Sequence, residues 1–340
     1  MERMSKNSKQ RTALVVGLGS IGRRHIEVIK EIDPSIKVIV CRHKSLDPSG
    51  MGLDIKITNN LAEAISFSPD FAVICNPSPF HVETAIKLVN EDIHVLIEKP
   101  ISSSSDDVQS LISLAASRNI KLMVGYNLRF MESLNFFKQK VDDSLVGQIF
   151  SVTAEVGQNL KSWRNGIDYK NSVSARKELG GGVLLELSHE FDYLSWIFGE
   201  IDRVTGAVDK NSNLDINVED SAKCIIGFSG KDFLASVNLD LFRLDPIRHC
   251  IVIGEKGTIK WNAIDNSVSL YSASNECWET IYREKHPRNG SYRKELSHFL
   301  DCIDHDKEPL ISGSSALNTM HVIDAIRRSS SKAKTEFIKS

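Results

Sequence analysis

Long apolar runs, paired cysteines and a surplus of one charge are all missing from this 340-residue chain. No stretch approaches the roughly 20 apolar residues of a membrane-spanning helix, so no membrane partner is expected. Lysine and arginine total 42 against 44 acidic residues, a formal net charge of −2. No global basic field therefore recommends nucleic acid or an anionic surface. The six cysteines (Cys41, Cys75, Cys224, Cys250, Cys277 and Cys302) are scattered, with no CxxC and no zinc-ligand spacing. That argues against a disulfide framework and against a metal site. They read as reduced core thiols of a cytoplasmic protein. The opening MERMSKNSKQR is polar and basic, lacks the apolar core of a secretion signal, and reads as a disordered start.

What is present is enough chain for two domains. The first third alternates strand and helix patterns: ALVVG, SIGRRHIEVIKEI, KVIVC, DFAVIC, HVETAIKLVNE, HVLIEKP, DDVQSLISLAASRN and KLMVGY. Continuously apolar strands separated by helices predict a parallel, doubly wound sheet covered on both faces. Beyond that the period changes to two. QIFSVTAEVGQ sets Val152, Ala154 and Val156 against Ser151, Thr153 and Glu155, and DFLASVNLDLF alternates through Phe233, Ala235, Val237, Leu239 and Leu241. RHCIVIGEKGTIKWN reads as two strands about GEKG. Such strands predict a mostly antiparallel sheet packed on one face. ELGGGVLLELSHEFDYLSWIFGE reads as a glycine-marked entry into one amphipathic helix. The expected organisation is a dinucleotide-binding α/β domain over 1–124 and an α+β domain over 125–340.

GLGSIG, Gly17 to Gly22, fits G-x-G-x-x-G between a strand and a helix, the context that motif requires. Gly17 permits the tight turn, Gly19 lets backbone approach a pyrophosphate, and Gly22 lets helix and strand pack closely. Ser20 and Ile21 lie at the helix N-terminus, whose N–H groups face the anion. The second strand ends in Arg42, His43 and Lys44 rather than an acid. A carboxylate there would favour a ribose 2′-OH, whereas a guanidinium suits a 2′-phosphate, so NADP is favoured over NAD.

Three segments carry possible chemistry. HVLIEKP places Glu98 and Lys99 at a strand's carboxyl end, where ligands of open sheets bind, and Lys99 can stabilise a developing alkoxide. In GGGVLLELSHEFDYL, Glu186 and His189 are three apart and share a helix face. A neutral imidazole there can take a hydroxyl proton. Asp192 either orients that imidazole or joins a local hydrogen-bond network. ICNPSPFH puts Asn76, Pro77 and His81 after a strand, beside a cofactor or simply in a turn.

This ordered set, with GYNLRF, resembles the glucose–fructose oxidoreductase / inositol dehydrogenase / MocA family. The resemblance runs through almost the whole chain, including EDSAKCIIGF, GEKGTIKWN and FLDCIDHDKEPLISG. It implies a Rossmann domain followed by an open-sheet α+β domain often used for assembly, hence a homodimer or homotetramer. It implies reversible NAD(P)-dependent oxidation of a sugar, polyol, sugar acid or nucleotide sugar. Lys99 then resembles the lysine that meets nicotinamide and substrate, and His189 the acid/base. Trp163 and Arg164 resemble a pair reaching toward the nicotinamide, and Tyr126, Asn127 and Arg129 a pocket-lining segment. Many members carry aspartate four residues before the histidine; here Leu185 stands there, and Glu186 lies one residue nearer, so its contact with substrate stays open. Two alternatives remain: a redox-neutral NADP-dependent epimerase or glycosidase, and a non-catalytic NADP-binding regulator.

Overall fold

The computed structural model describes residues 10–42, 55–163, 168–285 and 287–338. The opening segment through residue 9, His43, Lys44 and Arg164 lie outside the described residues. Within them, the first sheet has six strands: β1 (Thr12–Val16), β2 (Lys37–Cys41), β3 (Ile55–Thr58), β4 (Phe71–Ile74), β5 (His94–Glu98) and β6 (Leu122–Gly125). Their order is β3-β2-β1-β4-β5-β6, all parallel. Strands β1, β4 and β5 are buried almost throughout because helices cover both faces. The helices are α1 (Ser20–Ile32), α2 (Leu61–Ser66), α3 (His81–Asn90) and α4 (Val108–Ser117). Chain direction around the sheet reverses between β1 and β4, which opens a crevice at their carboxyl ends.

The second sheet has nine strands: β7 (Ile149–Gly157), β8 (Ile201–Asp209), β9 (Ser221–Phe228), β10 (Leu234–Asp240), β11 (Ile247–Gly254), β12 (Gly257–Asn262), β13 (Ser267–Ser272), β14 (Trp278–Arg283) and β15 (Glu336–Phe337). Its order is β14-β13-β12-β11-β7-β10-β9-β8-β15, and only β7 and β10 run parallel. The alternation read in β7 and β10 holds, since Val152, Ala154, Val156, Ala235, Val237 and Leu239 are all buried. Helices α5 (Glu132–Asp142), α7 (His189–Phe198) and α9 (Gly313–Lys332) lie on this inner face. The opposite face carries partly exposed Ile225, Leu234 and Ile253, with Trp278 at its edge.

One element differs from expectation. The segment read as one amphipathic helix is two: α6 (Val183–Glu186) stops at Leu187, and α7 begins at His189. Leu187 has ψ 28°, off the helical value, so the intrahelical ladder is interrupted there. Helix α8 (Gly290–Asp304), near the end of the chain, returns to pack on α1 of the first sheet. There the Phe299 ring meets Phe71 of β4 edge to face at 6.2 Å. No described helix is long and apolar enough to cross a membrane.

Candidate active site

The Gly17–Gly22 turn behaves as its spacing requires. Gly17 has φ +98°, and a Cβ there would lie 2.8 Å from the backbone of Cys75 and Asn76. A Cβ on Gly22 would sit 2.1 Å from the Gly17 carbonyl oxygen. Gly19 is the opposite case: a Cβ on it would meet no heavy atom within 4 Å. The α1 N-terminus beside it has neither a capping side chain nor an acid in its first turn. An open glycine face over an uncapped helix start, with Ser20 and Ile21 next in line, fits a pyrophosphate. At the end of β2, the Arg42 Nη1 is buried without a hydrogen-bond partner among the described residues.

The crevice between β1 and β4 is held by side chains from the ICNPSPFH segment. Asn76 Nδ2 donates to Thr84 Oγ1 at 3.1 Å. His81, buried, spans from Asn76 O (Nε2, 2.7 Å) to Pro100 O (Nδ1, 2.9 Å). It thus ties the loop after β4, through Pro77, to the turn after β5. Burial pushes its pKa down while the two carbonyls pull it up, the net direction being down. Glu98 points inward as well: Oε1 lies 2.6 Å from His25 Nε2, and Oε2 accepts from the Lys99 N–H at 3.2 Å. His81 and Glu98 are therefore engaged in shaping the crevice.

Lys99, the next residue, points across to the second domain. Its Nζ donates to the Glu186 carbonyl at 2.8 Å and lies 3.6 Å from Glu186 Oε2. The cation thus sits against the end of α6, three residues before the imidazole that opens α7. His189 is buried, its ring edge-on to Tyr126 at 5.4 Å between centroids. Nδ1 is buried without a partner, which leaves Nε2 as the nitrogen toward the cavity. Burial first, then the Lys99 and Arg248 charges, hold His189 well below the usual histidine pKa. The ring is therefore neutral, the form that accepts a proton.

These groups share one cavity of about 340 Å³. Its polar wall is Lys99, Glu186, His189, Gln158, Trp163 and Arg248, and Met131, Val156 and Ile264 supply apolar surface. Glu186 lines the cavity with His189 despite the helix break. Trp163 is pinned by its Nε1 donating to Gln158 O at 3.1 Å.

Four expected pocket residues sit behind this wall. Arg129 and Asp192 form a buried two-pronged pair, Nε to Oδ2 at 2.9 Å and Nη2 to Oδ1 at 2.6 Å. Asp192 therefore orients Arg129 rather than the His189 imidazole. Burial raises its carboxyl pKa although the guanidinium beside it acts the other way. Asn127 donates to Ser291 at 2.9 Å, and the Tyr126 hydroxyl lies 3.4 Å from Ser188. All four are buried and satisfied by protein partners, so they frame the site rather than line it.

Arg248 and Gln158 belong to the wall although in the sequence they stand only in strand segments, not among the candidate site residues. Each continues the inward parity of its strand, Arg248 with Cys250 and Val252 on β11, Gln158 with Ala154 and Val156 on β7. A polar or charged residue on the apolar face of an alternating strand was the available signal.

Fold and cavity together define a Rossmann-type parallel sheet followed by a nine-stranded sheet, with Lys99 and His189 lining one cavity. A family model described as "Oxidoreductase family, NAD-binding Rossmann fold" matches residues 11–126, and one described as "Oxidoreductase family, C-terminal alpha/beta domain" matches 138–336. The chain belongs to the Gfo/Idh/MocA oxidoreductase family. Among its relatives is the myo-inositol 2-dehydrogenase of Thermotoga maritima, 26% identical over 193 residues, covering 55% of this chain and 54% of the relative. Another is the glucose-6-phosphate 3-dehydrogenase of Bacillus subtilis, 21% identical over 62% of this chain and 60% of the relative. The chain thus spans little more than half the length of these two relatives. Among solved structures, a levoglucosan dehydrogenase in complex with NADH superposes with TM-score 0.87 at 16% identity, over 98% of this chain and all of that one. The WlbA dehydrogenase of Bordetella pertussis, in complex with NADH and UDP-GlcNAcA, gives 0.82 at 20% over 98% and 100%. At such identities the likeness is one of fold.

Proposed function

We propose that this chain is an NADP-preferring dehydrogenase acting on a hydroxyl carbon of a sugar, polyol, sugar acid or nucleotide sugar. One observation carries the reading: Lys99, from a strand tip of the first domain, and neutral His189, from the second, line the same cavity. Bound NADP would supply the hydride-accepting ring, held at the phosphates by Gly17, Gly19, Ser20, Ile21 and Gly22. The chain supplies the rest. Lys99 donates to the substrate hydroxyl oxygen and stabilises negative charge as it develops. His189 Nε2 takes the hydroxyl proton. Glu186, against Lys99, holds the ammonium in place, and Trp163 closes one side of the cavity.

The NADP preference rests on Arg42, whose buried Nη1 lacks a described partner where a 2′-phosphate would bring one. The relatives named for inositol and glucose 6-phosphate support a polyhydroxylated substrate. The uncovered face of the nine-stranded sheet, with Ile225, Leu234 and Ile253, supports assembly into a homodimer or homotetramer. Lys99 and His189 together weigh against a non-catalytic regulator.

A screen of sugars, polyols, sugar acids and nucleotide sugars with each cofactor, followed in both directions by nicotinamide absorbance, tests the reading. Turnover that survives replacement of both Lys99 and His189 would remove its basis.

A further inference from the structure

Arginines in this protein are usually spent. Arg129 gives its Nε and Nη2 to the two oxygens of Asp192, and Nη2 donates once more to Ser315 at 3.0 Å. Arg248 does not. It rises from β11 on the inner, otherwise apolar face of the sheet, with its side chain four-fifths buried in the cavity wall. Its Nε lies 3.0 Å from Glu190 Oε1, but the angle is too poor for a hydrogen bond. Its two terminal nitrogens make no hydrogen bond among the described residues, and they remain accessible from the cavity.

Glu190 explains why the guanidinium stays there. It follows His189 on α7, is fully buried, and neither carboxylate oxygen has a hydrogen-bonded partner among the described residues. Its charge lies behind Arg248, away from the cavity, so it anchors the guanidinium without occupying the face that a ligand meets. Gln158, just after neighbouring β7, stands on the same wall. A desolvated guanidinium with two parallel N–H-bearing nitrogens unspent matches the geometry of a carboxylate or phosphate, and it is costly to leave unpaired.

We infer that Arg248 is a specificity-determining residue that binds an oxyanion carried by the substrate, with Glu190 holding the guanidinium from behind. The inference rests on the dehydrogenase reading and narrows it to hydroxyl compounds bearing a carboxylate or phosphate. Lys99 and His189 act on the hydroxyl carbon while Arg248 anchors the substituent, which fixes the carbon presented to them.

The test measures binding to the NADP-loaded protein by calorimetry, with glucuronate, glucose 6-phosphate and uncharged glucose as probes. At least one anionic probe should bind about tenfold or more tightly than glucose, the scale of a charge-assisted hydrogen bond. The tighter of the two tells carboxylate from phosphate. Arg248→Gln should bring the ratio near one while glucose and NADP binding change by less than about twofold, the affinity difference being confined to the lost ion contact. Because that variant leaves Glu190 buried alone, the double variant with Glu190→Gln provides a form without the stranded charge, and it should lose the preference equally. No anionic preference in the wild type, or a preference that survives in the double variant, overturns the assignment. Absence of hydride transfer throughout the absorbance screen of sugars, polyols, sugar acids and nucleotide sugars, alongside an Arg248-dependent anion preference, would instead fell the dehydrogenase reading and leave the oxyanion site standing.

Discussion

Two alanine substitutions in the Gly17–Gly22 turn separate folding from ligand binding. At Gly22 a new Cβ would lie 2.1 Å from the Gly17 carbonyl oxygen, a backbone atom that cannot rotate away. Helix α1 must then move off β1, and overpacking of this kind costs about 1–3 kcal/mol. A melting point lower by about 2–4 °C per kcal/mol is expected of Gly22→Ala. At Gly19 the backbone is extended, φ −75° and ψ −169°, a conformation alanine adopts freely, and nothing lies within 4 Å of the added carbon. Gly19→Ala should therefore keep full stability, or gain about 0.4–1 kcal/mol through the less flexible unfolded chain. Its methyl group would occupy the space through which a phosphate approaches the helix N-terminus. Losing one backbone hydrogen bond to a charged oxygen is worth about 1.5–3 kcal/mol, roughly 10- to 150-fold in affinity. Thermal denaturation and fluorescence titration with NADP and NAD on both variants provide the assay. A Gly19→Ala protein that binds both dinucleotides as tightly as the wild type would refute the placement of the pyrophosphate.

Lys99→Met should lower turnover by about 10²- to 10⁴-fold with NADP binding retained, and the steady-state rate against a dinucleotide titration checks it. Because His189 is held well below the usual histidine value by burial and by the Lys99 and Arg248 charges, kcat/KM should stay flat through about pH 6.5 and fall only in more acid solution. Lys99→Met removes one of those charges, so the acid limb of its residual activity should move to higher pH; an unmoved limb would exclude His189 as the titrating base. Arg42→Asp should weaken NADP by about tenfold or more and NAD far less, read by parallel titrations. Glu295, fully buried, has its carboxyl pushed well above the ordinary value by burial and by the Glu98 charge. The folded protein therefore binds a proton more tightly there than the unfolded chain does. The associated stability is fully present below the unfolded value of 4.5 and is lost as pH rises through the folded one. Glu295→Gln should gain on the wild type as pH rises above 4.5 in urea unfolding, and a pH-independent difference would refute this.

The first sheet was legible because strands covered on both faces must be apolar along their whole length. ALVV, FAVI and HVLIE admit no other comfortable reading, and GLGSIG fixed which strand comes first. Strand β3 escaped because it is a four-residue edge strand, IKIT, with Lys56 facing solvent. The break between α6 and α7 left no trace at all. LLELSHEF contains neither proline nor glycine, and eight of the ten residues of α7 are buried. A helix enclosed on nearly every side has no polar face whose phase could slip and reveal an interruption.

The candidate site was harder, because residue type does not tell a spent polar group from an available one. Arg129 and Arg248 look equally promising in sequence, each beside apolar residues and within a few positions of an aromatic or a histidine. Only packing separates them. Arg129 meets a carboxylate in its own plane and is consumed, whereas Arg248 meets one off-line and keeps both terminal nitrogens. His81 and His189 divide the same way: one ring lies between two carbonyls that stitch a loop, and the other has a bare nitrogen toward a cavity. Each spent group still serves the chemistry indirectly. Paired charges behind the wall let an apolar interior hold the loops rigid without exposing ions to the substrate, and that dry backing keeps the few unspent donors strong. The residues able to act on a ligand are accordingly those whose hydrogen-bonding capacity the fold leaves unfilled: Lys99 in part, His189 at Nε2, and Arg248 at both Nη.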